Sequence, residues 1–389
     1  DPDKRAGKIM PDGSIDLRES NAVVGVEEGQ SLGEVIEATE GVPGTDLRGE
    51  KIATTDGVDI VFKAGENVRT EGDPPRAFFA NITGNVHLAG DTIHVKEVFV
   101  VSGDVNYDTG NIDTRNDVQI DGNVGAGFTV KSGGSITVGG LVEAGVILTA
   151  QGDITVAQGI VGEATTVTAQ GVTSLGRIQT KFIQNATAMA KSDIEVGSYI
   201  FNSRVRSGAA VTVHAEGGTR GGSIVGGETL ASTAVRCRIV GSPSASGTLV
   251  GISPDPEKSA RLIKLDEAIG FCETNILRLL RSMGLQTVGA QRIKTIVRQT
   301  KPPKQKVIIE IVKKLFALVE ARDKSATERE SIDYQLDQAL DKSEISVEDT
   351  LFAGAEVEMG KSAFGTKEDT KAITLYKTPD GIRMRPWSG

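Results

Sequence analysis

Three histidines, His87, His94 and His214, are all that the 389 residues offer for taking up a proton near neutral pH. Their sharpest use is as the general base of an acyltransferase, which activates a hydroxyl or amine for attack on acyl-CoA. Five carboxylates, Asp104, Asp108, Asp113, Asp117 and Asp121, recur at short intervals and could serve a lyase or a glycosidase. The plainer reading is that each forms a turn, its short side chain accepting a nearby backbone N–H. The two cysteines, Cys237 and Cys272, lie in different kinds of segment and form no metal-ligand spacing. They read as buried small side chains rather than a disulfide.

The stretch GVPGTDLRGEKI, Gly41 to Ile52, invites a phosphate-loop reading. Gly44 is followed after four residues by Gly49, but Glu50 and Lys51 come next, with Ile52 where Ser or Thr should stand. A carboxylate there would repel a phosphate. The stretch is a structural turn.

Arginines are the most suggestive polar feature. Arg204 and Arg206 flank Val205, Arg220 lies in GTRGGS, and Arg236 and Arg238 flank Cys237. Sixteen residues separate 204 from 220 and 220 from 236. If one coil of the chain has about that length, the guanidiniums stack into a ridge on one face. Such a ridge is a docking strip for an acidic partner, because Arg pairs bidentately with carboxylates. A solvated face is the equal alternative.

What positions these residues is a repeat. Taking every sixth residue from Ile112 gives Val118, Val124, Val130, Ile136, Val142, Leu148, Ile154, Ile160, Thr166, Val172 and Ile178, and eleven of these twelve are Val, Ile or Leu. Ile120, Val138 and Val156 follow hexad positions by two, as inward residues of one strand should. Similar turns return after eighteen residues, in GGSITV and QGDITV, and with a one-residue slip in QGV at Gln170. Three six-residue faces per coil describe a β-solenoid, in which each strand pairs in parallel with its equivalent one coil away. After Ile178 the register slips by four, resuming at Ala188, Ile194 and Ile200, and then by minus one at Val205 and Val211. Insertions at corners explain such slips. The looser alternation of NVHLAGDTIHV extends the expected solenoid to residues 85–252, about nine coils and ~40 Å long.

Composition agrees. Forty-seven glycines against twelve prolines, with 4% aromatics, suit a turn-rich scaffold filled by small aliphatic side chains. A net charge of −9 argues against a global attraction to nucleic acid or an anionic membrane. No apolar run approaches the ~18 residues that span a bilayer, and DPDKRAGKIM has no signal-peptide core, so the chain reads as cytosolic. It opens on Asp1 and reads as a piece of something longer.

At SPDPEKSARL the period changes. Leu262, Leu265, Ile269, Cys272, Ile276 and Leu279 step by three and four after a Pro-Asp-Pro start signal. Helices are expected over 257–282, 288–300, 304–322 and 325–342, as an antiparallel arm. Its heptads could join two chains as a homodimer or pack within one hairpin; the second is favoured, because the seam can close on itself. From SEISVED onward alternation returns, so the expected regions are an N-terminal β region (1–84), the solenoid (85–252), the arm (253–342) and closing strands (343–389).

GKIMPDGSIDLRESNAVVGVEEGQSLGEVI, followed by GVPGTDLRGEKI, resembles the opening of the bacterial flagellar assembly protein A family. The helical excursion and LFAGAEVEMGKSAFG, similar to that family's closing stretch, agree in order. The resemblance implies a mainly β fold: a right-handed parallel β-helix with a helical insertion, preceded in full-length members by a further N-terminal domain that this chain lacks. It also implies a non-enzymatic role in flagellar assembly at the cell pole, through contact with another cytosolic protein. That partner would be a flagellar-placement or sugar-phosphotransferase component. It brings no catalytic residue, cofactor or metal, and no nucleic acid or membrane insertion is expected. Two alternatives stand beside it. One is a hexapeptide-type acyltransferase, against which the inserts and coiled coil argue; the other is a cytoskeletal solenoid that polymerises by stacking its ends.

Overall fold

Where an aliphatic residue alternates with a polar one and a turn former follows within a few positions, only a short strand can form. Thr129–Ser132 and Ile136–Val138 are such strands, each burying alternate residues. A computed structural model describes residues 7–19, 24–163, 171–216, 221–244, 247–253 and 255–388. In it Ile112 pairs in parallel with Val130 and Val130 with Leu148, Val118 with Ile136 and Ile136 with Ile154. Val124 bridges to Val142, and Val142 to Ile160. Each step is eighteen residues, and three walls of stacked strands enclose one aliphatic core. Mainly β, the chain is a solenoid of about seven turns with three helices and a C-terminal return to strands.

Coil length then varies. Leu148 pairs with Val172 after 24 residues, Val172 with Ala188 after 16, Ala188 with Val205 after 17, and Val205 with Thr229 after 24. The step from Leu148 to Val172 is one hexad longer than the step before it, which preserves the six-residue phase while lengthening the coil. Thr166 and Gln170 themselves lie outside the described residues. Ala188, Ile194, Ile200, Val205 and Val211, the positions expected after the slips, are all buried in the core.

The solenoid starts later than expected. Gly84–Ala89 and Thr92–Lys96 pair antiparallel, with His87 opposite His94, and Gly84–Asn85 continue onto Gly25–Val26. Residues 84–96 thus belong to an N-terminal sheet with its own small core of Val26, Val68, Phe78, Ala80 and Val95. The first solenoid strand is Val98–Val101, paired in parallel with Asp117–Ile120. Period-two alternation is the same in parallel and antiparallel strands, so NVHLAGDTIHV could not reveal its hairpin; the two-residue Gly90-Asp91 turn, with Gly90 at φ +63°, was its signal. This later start and the 24-residue coils reduce the expected nine turns.

The segment GVPGTDLRGEKI is a turn, as its spacing predicts. Gly44–Thr45 pairs with Lys51–Ile52, and Asp46 Oδ1 accepts from the N–H groups of Arg48 and Glu50, both at 2.8 Å. These strands form a separate two-stranded sheet that joins neither the N-terminal sheets nor the solenoid.

Helices α1 (Pro256–Ser282), α2 (Ala290–Gln299) and α3 (Pro302–Asp341) form the arm. Asp255 caps α1 by accepting from the N–H groups of Glu257 and Lys258. Two helices were expected where α3 runs unbroken for 40 residues, ~60 Å. Arg322, Asp323 and Lys324 at the supposed break carry no Pro or Gly, so nothing stops the helix. The seam closes within the arm, where Cys272, Ile276 and Leu280 of α1 meet Ile293 of α2 and Leu315 of α3. Glu344–Leu351 then re-enters the solenoid in parallel with Ala234–Val240, and Glu356–Met359 with Thr248–Ile252. Ser362–Gly365 and Thr370–Thr378 pair antiparallel with these two strands, and Gly381–Pro386 pairs antiparallel with Thr370–Thr378.

Candidate functional site: the solenoid corners and the arginine faces

The acidic residues singled out by spacing are drawn into the backbone. Asp104 Oδ1 accepts from Asn123 N–H at 2.7 Å, one coil above it, and Asp117 Oδ1 accepts from Ser135 N–H at 2.7 Å. Ser135 Oγ accepts from Asp153 N–H at 3.1 Å, and Asp153 Oδ1 from Arg177 N–H at 2.8 Å. A corner exposes backbone N–H groups that no strand can satisfy, and these side chains satisfy them. Gly134 follows from the same geometry: a Cβ there would collide with Asp117 Oδ1. Asp121 accepts from the Gln119 side chain at 2.9 Å. Asp108 donates its own N–H to Asn106 Oδ1 at 2.8 Å. A catalytic carboxylate pair would need two such groups aimed at a shared space, and Asp104 and Asp117 reach along the stack instead.

The histidines do not converge. His87 and His94 sit side by side in the N-terminal hairpin with ring centroids 6.4 Å apart, and His94 Nδ1 accepts from Glu66 N–H at 3.0 Å. His214 is exposed at the end of the strand Ala210–Val213, on a late coil. No group of three or more His, Cys, Asp or Glu among the described residues could hold a metal ion. Cys237 is buried in the core and its thiol is pushed up by burial and then by the Glu348 charge, so it stays protonated and inert.

The arginines do not form a single ridge. Arg204 and Arg206 lie on one wall, where they converge on Glu228 of the next coil, at 3.6 and 2.7 Å. Arg236 lies on another wall, in register between Thr212 and Ser346. Arg238 turns into the following corner; its Nε donates to Gly221 O at 2.8 Å and its guanidinium pairs with Asp349 at 3.3 Å. Arg220 lies outside the described residues. The expected stacking assumed coils of sixteen residues, but Arg204 pairs in register with Glu228, 24 residues on. The longer coil carries the later arginines to other faces. What the structure keeps together is Arg204 and Arg206 with their shared carboxylate.

A stronger basic surface was missed. Between 274 and 319 the arm holds ten Lys and Arg and one acid, Glu310, a net +9 in a chain of −9. The signal was a charge count over that segment alone, which the balance of the whole chain concealed. No helix among the described residues is long and apolar enough to cross a membrane.

Comparison with known families gives two matches in sequence. Residues 2–91 match the Flagellar Assembly Protein A N-terminal region, and residues 97–382 match the Flagellar Assembly Protein A beta solenoid domain. The first match ends in the turn of the antiparallel hairpin, and the second begins one residue before the first parallel strand. No curated protein and no solved structure matches the chain. With the solenoid, its helical insertion and most of the N-terminal strands covered by those two matches, the chain belongs to the Flagellar Assembly Protein A family.

Proposed function

We propose that the protein is a non-enzymatic scaffold of flagellar assembly, acting in the cytoplasm at the cell pole through protein–protein contact. Family membership supports the flagellar role. The observation that carries the scaffold reading is the corner ladder: Asp104 and Asp117, which could have done chemistry, join Ser135 and Asp153 in holding one coil to the next. Rigid walls spaced at ~4.8 Å per coil leave rows of exposed side chains in fixed register, which suits recognition of a folded partner. The partner on this reading is a flagellar-placement component or a sugar-phosphotransferase protein, and the arginine faces at Arg204, Arg206, Arg236 and Arg238 receive its carboxylates.

Affinity purification of the tagged chain from motile cells, followed by mass spectrometry, tests this reading. A flagellar or phosphotransferase component should be enriched, and Arg204→Glu with Arg236→Glu should release it. Unchanged capture by that variant removes the arginine faces but not the scaffold. Saturable binding of acetyl-CoA with turnover would instead favour the acyltransferase reading.

A further inference from the structure

Among the described residues, two of the uncovered apolar surfaces carry opposite charge. One is the hairpin of residues 36–61. Ile36, Val42, Leu47 and Val58 are 87% or more exposed there, an unusual state for four aliphatic side chains in one short segment. The hairpin holds its shape without a core: Asp59 accepts from Ala38 N–H at 2.6 Å, Asp56 from Gly41 N–H at 2.9 Å, and Asp46 clasps the turn. Six acids, Glu37, Glu40, Asp46, Glu50, Asp56 and Asp59, stand against Arg48 and Lys51. Glu37 bonds Arg76, while Glu40 and Glu50 are exposed.

The other surface is a groove of about 660 Å³ between α2 and α3. Ile293, Val297, Ile309, Val312 and Phe316 line it, and Lys294, Arg298 and Lys313 rim it. Every residue that lines the groove except Glu320 belongs to the +9 segment of the arm. Each surface supplies what the other lacks, a narrow acidic ridge with aliphatic side chains and an apolar slot with a basic border.

One molecule does not join them itself. The N-terminal region meets the first coils through Asn111–Glu19 and Thr114–Asn85, whereas the arm leaves after Thr248–Ile252. From Phe99 to Val235 the strands stack through seven steps, ~34 Å. Among the described residues no hydrogen bond or ion pair links the hairpin to the arm. We propose that the groove between α2 and α3 receives the acidic hairpin 36–61 of a second copy of this chain. The contact buries the exposed aliphatic side chains and pairs Glu40 and Glu50 with the lysines and arginines of the groove's border.

The test is sedimentation velocity of the purified full chain across a wide concentration range, at low and high salt. The wild type should self-associate, and more weakly at high salt. Lys294→Glu with Arg298→Glu should weaken association by roughly tenfold or more, and so should Glu40→Lys with Glu50→Lys. An equimolar mixture of these two double variants should associate again, because the native hairpin of the first then meets the native groove of the second, and the reversed groove a reversed hairpin. Leu47→Ser, which changes no charge, should also dissociate the pair. Circular dichroism and melting profiles matching the wild type confirm that each variant folds. A wild type that stays monomeric throughout overturns the proposal, as does association indifferent to the reversals or a mixture that fails to recover. A monomer whose groove instead takes up an acidic peptide, nucleic acid or anionic vesicles overturns it too. The proposal does not rest on the flagellar role, which partner capture reads separately.

Discussion

Asp117 and Ser135, eighteen residues apart, are joined across one coil by a 2.7 Å hydrogen bond from the Ser135 N–H to Asp117 Oδ1. Ser135 does the same for Asp153, and Asp153 for Arg177, so each residue is held by the coil below and holds the coil above. Strand pairing fixes the walls; this ladder fixes a corner.

Removing one rung should cost the stability of a charged hydrogen bond. Asp153→Ala leaves the Arg177 N–H without its acceptor, and a loss of about 1–3 kcal/mol is expected from denaturant unfolding. Asp153→Asn keeps an acceptor oxygen and should lose less. An Asp153→Ala as stable as the wild type would mean that the corner is held by the strands alone.

The interior should respond to lost volume. Ile154 is fully buried, stacked between Ile136 and Ile178. Ile154→Ala removes apolar contacts above and below and is expected to cost about 2–5 kcal/mol, read as a lowered thermal midpoint. Thr155 beside it points outward, and Thr155→Ala should change stability by less than about 0.5 kcal/mol.

Burial protects Cys237. Its folded thiol titrates above the ordinary 9.0, so the neutral form is the stable one, and folding stability falls as the pH rises past that value, where the unfolded thiol ionises. Cys237→Ala should flatten that decline. Iodoacetamide should label Cys237 in the native protein only as fast as the solenoid opens, which peptide mass spectrometry can follow.

The arm's surface pairs predict a carboxylate titration. The hydrogen bond from Arg261 holds Glu328 below the ordinary 4.5, and Arg261→Ala should return it towards that value in an NMR titration. A depressed carboxyl stabilises the fold above its unfolded value, and that contribution is lost as the pH falls through the folded value. Because the pair is fully exposed, added salt should shrink the difference.

Much of this was legible because a solenoid interior repeats. From Ile112 to Ile160 the six-residue step names the buried residues of three walls directly, since no other architecture returns an aliphatic side chain at that interval. The coils beyond Leu148 were legible in phase but not in length: a step longer by one hexad leaves the six-residue count intact while moving the next strand up a level. That hidden change broke the arginine ridge, whose members were ordered by a constant coil. The hairpin at 84–96 was missed because alternation does not encode strand direction. The arm's long helix was divided because a change of hydrophobic stripe was taken for an end, although no residue between Arg322 and Lys324 ends a helix. The basic groove was hidden because opposite charges elsewhere cancelled it.

The reversal of direction at Thr370–Thr378 has its own consequence. Each wall strand up to Thr248–Ile252 offers its free side to a successor running the same way, whereas Glu344–Leu351 and Glu356–Met359 meet antiparallel strands and Gly381–Pro386 runs against its neighbour too. Arg383 and Arg385 and the ring of Pro386 line that final border, a combination that repels an incoming backbone. The spiral winding thus gives way to antiparallel pairing beyond Glu356–Met359. A copy stacking on that border would meet a reversed strand bearing two guanidinium groups, which favours lateral meetings through what protrudes.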